Sequence, residues 1–144
     1  MLISDKMKSS ERRLLVKDLC ARIPYSGRVE YEDDQYEILG YVHGKLIIAK
    51  PLSSISKPVN VEECKPVLRS LSTMEEEEKK KILQKVFGKQ ANKFTISNDG
   101  EIVGKNASVM PVVTPEIINK YLQELYLRDF DVNGLIGLGL AIER

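Results

Sequence analysis

The sequence predicts an α+β fold: a small antiparallel, strongly curved β-sheet over about residues 25–71, packed with C-terminal helices and an inserted β-hairpin. Three observations predict it. Apolar residues alternate with polar ones between positions 28 and 50, they recur at helical spacing over 72–87 and 114–125, and Asn98-Asp99-Gly100 separates two short β-branched segments. A chain of 144 residues can bury one sizeable core without staples. No Pro- or Gly-rich linker interrupts it, so the reading is a single domain, 1–144, with a β-rich part over about 18–71 and a helical part with the hairpin over about 72–144.

Leu14, Leu15, Leu19 and Ile23 give the first helix its apolar stripe, and Pro24 ends it near Arg22. Val29 and Tyr31 then alternate with charged neighbours, Asp33-Asp34 makes a turn, and Tyr36–Val42 and Lys45–Lys50 flank His43-Gly44 as a hairpin. Residues 51–58 read as a polar Ser-rich loop, Val59-Asn60-Val61 as a short extended piece, and Glu62-Glu63-Cys64 as a single turn before a last strand over 65–69. Five short strands with one helical turn before the fifth have the layout of small Src-homology-3-like barrels.

In the second part, Ser72 or Thr73 can cap a helix whose buried face is Met74, Ile82, Leu83, Val86 and Phe87, with Gly88 as its stop. Its charge run pairs 75 with 79, 76 with 80 and 77 with 81. The hairpin over 94–103 reads as an inserted flap. Thr114-Pro115 opens another helix with Ile117, Ile118, Tyr121, Leu122 and Leu125 on its apolar side. Asp131 can cap a turn through Leu135-Ile136, and the apolar tail 138–142 is expected to dock into the core or cover a sheet edge.

Composition narrows the function classes. Lys and Arg number 22 against 21 Asp and Glu, a net charge of +1 that lacks the cationic excess through which nucleic-acid binders release counterions. The cations concentrate early, at Lys6, Lys8, Arg12, Arg13, Lys17, Arg22 and Arg28, followed by an acidic block over 30–37. That block lacks calcium-loop spacing, and Gly134, Gly137 and Gly139 stand in the wrong order for a dinucleotide loop. Cys20 and Cys64 are too few for a disulfide framework and lie too far from other ligands in sequence for a structural zinc site. Neither a leader nor a membrane span is apparent, so cytoplasmic localisation is expected.

No catalytic constellation, metal site or cofactor is predicted. His43 is the one histidine, so a thiol–imidazole dyad has to combine it with Cys64 or Cys20. A more productive set is Arg22, Tyr25, Arg28, Tyr31, Tyr36 and His43, because tyrosine and arginine are enriched at interfaces and exposed aromatics stack on bases or grip proline-rich peptides.

Three stretches carry a family resemblance: Lys17-Asp18-Leu19-Cys20-Ala21-Arg22-Ile23-Pro24-Tyr25, the run from Val61 to Met74, and Asp129-Phe130-Asp131-Val132-Asn133-Gly134-Leu135-Ile136. They resemble the "DLCARLPYG", "VKPYLRPLSSM" and "FDYRGLIEKGLA" segments of small uncharacterised proteins from gut bacteria and their phages and mobile elements. The resemblance implies a bacterial or phage-derived origin and brings no activity or site residue with it. The leading reading is a non-enzymatic interaction or accessory module with a protein partner. The alternative is nucleic-acid binding through the basic first segment, and the second alternative an enzyme with an unrecognised Cys/His site.

Overall fold

A computed structural model of the chain describes residues 7–106 and 114–144. In chain order its elements are α1 (Ser9–Arg22), β1 (Arg28–Tyr31), β2 (Asp34–Val42), β3 (Lys45–Ala49), β4 (Ser56–Val59), β5 (Lys65–Leu68), α2 (Glu76–Phe87), β6 (Phe94–Ile96), β7 (Ile102–Gly104), α3 (Pro115–Leu127) and β8 (Ile142–Glu143), joined in part by short 3-10 segments. The fold is α+β. It divides into two compact units, Met1–Leu68 with Asp131–Arg144, and Arg69–Phe130.

The first unit holds an open six-stranded sheet in the order β4-β3-β2-β1-β5-β8, antiparallel except for the parallel pair β5–β8. Two tight turns set its hairpins. Glu32 and Asp33 have φ of 51° and 64°, and His43 and Gly44 have φ of 51° and 78°, the left-handed pairs of type I′ turns. The first of these lies one residue earlier than Asp33-Asp34, because Asp34 is already paired opposite Tyr31. A bulge between Ile38 and Gly40 leaves Leu39 outside, half exposed.

Strand β4 departs most from expectation, since Ser56, Lys57 and Pro58 belong to it rather than to a loop. Ser and Pro have low strand propensity, but pairing of Ile48 with Lys57 and Leu46 with Val59 fixes the segment as an edge strand, where proline is tolerated. The core gathers Leu15 and Leu19 of α1, Val29, Tyr36, Ile38, Leu46 and Ile48 of the sheet, and Leu135 and Leu140 of the tail. The tail meets both expectations, filling the core and covering the β5 edge, where the Arg144 amide donates to the Leu68 carbonyl at 2.8 Å.

Within this core sits an ion pair. Arg22 Nε donates to Asp18 Oδ2 at 2.7 Å and Nη2 to Oδ1 at 2.9 Å, with side-chain exposures of 1% and 0%. Asn133 Nδ2 supplies a further donor to Asp18 Oδ1 at 2.9 Å. Asp131 caps the next turn as expected, accepting from the Leu135 and Ile136 amides at 2.8 and 3.0 Å.

In the second unit α2 starts later than the Ser72-Thr73 signal. Those residues form a 3-10 turn, and Glu75 is the N-cap. Glu78 therefore falls at the third helical position, where it accepts from the Glu75 amide at 3.2 Å and receives the Arg69 guanidinium through two bonds of 2.7 and 2.8 Å. Arg69 also lies over the Phe130 ring at 4.3 Å. With Glu75 outside the helix and Glu78 engaged, the pairs formed along it are i,i+3, Glu76 with the largely buried Lys79 and Glu77 with the exposed Lys80, not i,i+4.

The expected hairpin β6–β7 packs within its unit: Phe94 and Ile96 are buried, and Phe94 stacks on Phe87 with centroids 4.3 Å apart. Helix α3 is capped by Thr114, whose Oγ1 accepts from the Ile117 amide. It packs on α2 but fully buries only Leu125, leaving Ile118 exposed.

Two stability predictions follow from these ion pairs. Arg22→Ala strands a buried carboxylate and is expected to lower unfolding free energy in urea by about 3–5 kcal/mol. Glu78 is held at about 2 against an ordinary 4.5, first by the Arg69 hydrogen bonds. A depressed folded-state value means its stabilisation is complete above about pH 4.5 and is lost as pH falls toward 2. Denaturation melts across that window are expected to be steeper in pH for the wild type than for Glu78→Gln.

Candidate functional site

Strand pairing gathers two predicted tyrosines with cations the sequence reading did not single out. Val29 pairs with Tyr36, Ile38 with Ile48 and Ile48 with Lys57, so the period of two puts Tyr31, Tyr36, Ile38, Ile48 and Lys57 on one sheet face. At the margin of that face the Tyr31 and Tyr36 rings meet edge to face, centroids 5.9 Å apart at 75°. Lys57 Nζ lies 4.7 Å from the Tyr31 centroid and 4.9 Å from that of Tyr36, and Lys50 Nζ lies 5.7 Å from the Tyr36 centroid.

Tyr36, Lys50 and Lys57 open onto a groove of about 310 Å³ that Ile48, Ala49, Ser53, Ile55 and Ser56 also line. Its floor is aliphatic, its polar groups are hydroxyls and two ammoniums, and its lining contains no carboxylate. Lys50 is steadied from outside by Asp34, Nζ to Oδ2 at 2.5 Å. The bond raises the Lys50 pKa and lowers that of Asp34, so both stay charged at neutral pH. The Tyr31 phenol is pushed up, first by desolvation and next by Glu32, and stays protonated.

The remaining predicted binding residues do not join this cluster. Arg22 is no surface group, being committed inside the core to Asp18. Tyr36, which does belong to the cluster, is itself buried at 9% exposure. Tyr25 is half buried on the 3-10 turn after α1, and Arg28 is exposed opposite Glu37, on the other face of the sheet from Val29 and Tyr31. His43 is exposed at the β2–β3 turn, the opposite end of that hairpin from Asp34 and Lys50. Lys50 and Lys57 were missed because their relevance depends on the β3–β4 register. The apolar Leu52 and Ile55 inside a Ser-rich stretch were a readable signal.

A catalytic dyad finds no support in the geometry. Cys64 is buried, its Sγ donates to the Asn60 carbonyl at 3.6 Å, and its pKa is pushed up to about 11 by burial, with Glu63 and Glu62 adding to the shift. Burial also pushes up half-buried Cys20. Among the described residues no three of His, Cys, Asp and Glu are grouped to hold a metal ion. The basic first segment is depleted as well, since Arg12 pairs with Glu62 at 2.6 Å and Arg22 turns inward, while Lys6 lies outside the described residues. Among the described residues no helix is long and apolar enough to cross a membrane.

No protein-family model, curated protein or solved structure matches the chain.

The two thiols are expected to separate in reactivity. In the native protein at mildly alkaline pH, iodoacetamide should modify Cys20 well before Cys64, as read by peptide mass spectrometry. Faster labelling of Cys64 would contradict its place in the core.

Proposed function

We propose that this chain is a non-enzymatic interaction module that takes an acidic, aliphatic segment of a partner protein into the Tyr36–Lys57 groove. The observation that carries the reading is the lining: an aliphatic floor with two ammoniums and the Tyr36 ring, and no carboxylate among its residues. A carboxylate entering there meets Lys57 and Lys50, and an aliphatic neighbour meets Ile48 and Ile55. Strand addition is disfavoured, because Pro58 sits in β4 at that edge of the sheet and lacks the N–H that such pairing needs.

Three finer readings belong with this one. A Src-homology-3-like layout of the curved sheet is supported by the order β4-β3-β2-β1-β5 and the single 3-10 turn between β4 and β5. Bacterial or phage-derived origin rests on the three resembling segments. A cytoplasmic setting is consistent with two unpaired thiols.

The test is fluorescence anisotropy with a short labelled peptide of alternating glutamate and leucine between glycine ends, against a lysine–leucine control. The acidic peptide is expected to bind, weakening with salt, and Lys57→Glu is expected to reduce affinity at least about tenfold. Equal binding of the two peptides, or indifference to Lys57→Glu in a variant with wild-type circular dichroism, would count against the groove.

A further inference from the structure

Residues 50–53 make a turn whose sequence conflicts with its backbone. The Ser53 amide donates to the Lys50 carbonyl at 3.0 Å, Pro51 is confined to negative φ, and Leu52 has φ of 64°. That combination is a type II turn with leucine at the position that favours Gly or Asn. The Leu52 side chain is fully exposed, at 107%, and Ile55 nearby is 79% exposed. Ser53 Oγ accepts from the Ile55 amide at 3.1 Å, which fixes the second aliphatic group relative to the turn.

The free protein thus carries two separate costs at one residue, a left-handed backbone without glycine and an aliphatic side chain wholly in water. Strained positions of this kind persist where the surrounding structure or a function holds them. Resting on the groove reading above, we infer that Leu52 is an aliphatic lip of the same groove, closing over the apolar side chain of the acidic, aliphatic partner segment. Ser53 and Ile55 already line the groove, so an occupant long enough to leave it on this side meets Leu52 next. The charges select a protein segment over an anionic membrane surface. A peptide brings one carboxylate at a time to the two ammoniums, whereas a planar array of anionic headgroups also meets Asp34, which holds Lys50, and Glu32 and Asp33 of the neighbouring β1–β2 turn.

The test measures two properties of Leu52→Gly. Glycine suits the backbone, so the urea midpoint is expected to hold or rise, while affinity for the glutamate–leucine peptide falls about five- to tenfold; Leu52→Asn should behave alike. If affinity is unchanged in Leu52→Gly but drops in Lys57→Glu, the lip is wrong and the groove stands. If neither variant changes affinity, both readings fall. A lowered midpoint would assign Leu52 to the fold instead. Two further results would overturn the assignment by naming another occupant: self-association of the wild type by light scattering that Leu52→Gly abolishes, or Leu52-dependent co-sedimentation with phosphatidylcholine–phosphatidylserine vesicles.

Discussion

A carboxylate and a guanidinium enclosed away from water tolerate little rearrangement, and Asp18 with Arg22 forms such a pair in the first unit. Desolvating two charges is repaid only when their hydrogen bonds are well made, so the helix that carries both must stay formed through its last turn. Asn133 adds a donor to Asp18 from the far end of the chain, which places the C-terminal segment. The Arg22 side chain also leaves no room beside it. A Cβ at position 27 would come within 2.8 Å of Arg22 Cβ, which is why glycine stands there. Gly27 in turn accepts from the Ile38 amide at 2.8 Å, so the entry into the sheet and the return of the tail both depend on one buried pair.

Glu78 plays a comparable part in the second unit, where Arg69 binds it through both terminal nitrogens and Arg128 lies 3.8 Å away. Three stretches, Lys17–Tyr25, Val61–Met74 and Asp129–Ile136, hold many of these structural groups. Asp18 and Arg22 lie in the first of them, Arg69 in the second, and Asp131 and Asn133 in the third, all engaged in holding the fold. Ser26, directly after the first stretch, has a left-handed φ of 53°.

Helices α2 and α3 and the hairpin turns were legible because their signals are local: 3.6-residue spacing, a capping threonine, His43-Gly44 and Asp99-Gly100. Strand β4 was not, since its Ser and Pro obscure a strand whose existence depends on pairing with β3. Charge misled at Arg22. A lone arginine reads as surface, and the neighbour that completes its site through Asp18 lies 115 residues away from that aspartate. The candidate groove was legible in half. Tyr31 and Tyr36 stood out as strand aromatics, whereas Lys50 and Lys57 acquire meaning only through register.

The dependence of both chain ends on the buried pair can be measured by amide hydrogen exchange in Asp18→Asn, which keeps the shape and removes the charge. The amides of Ile38, Leu135, Ile136 and Arg144 are expected to lose protection together. Wild-type protection at those four positions, with change confined to α1, would contradict the central role given to Asp18 and Arg22.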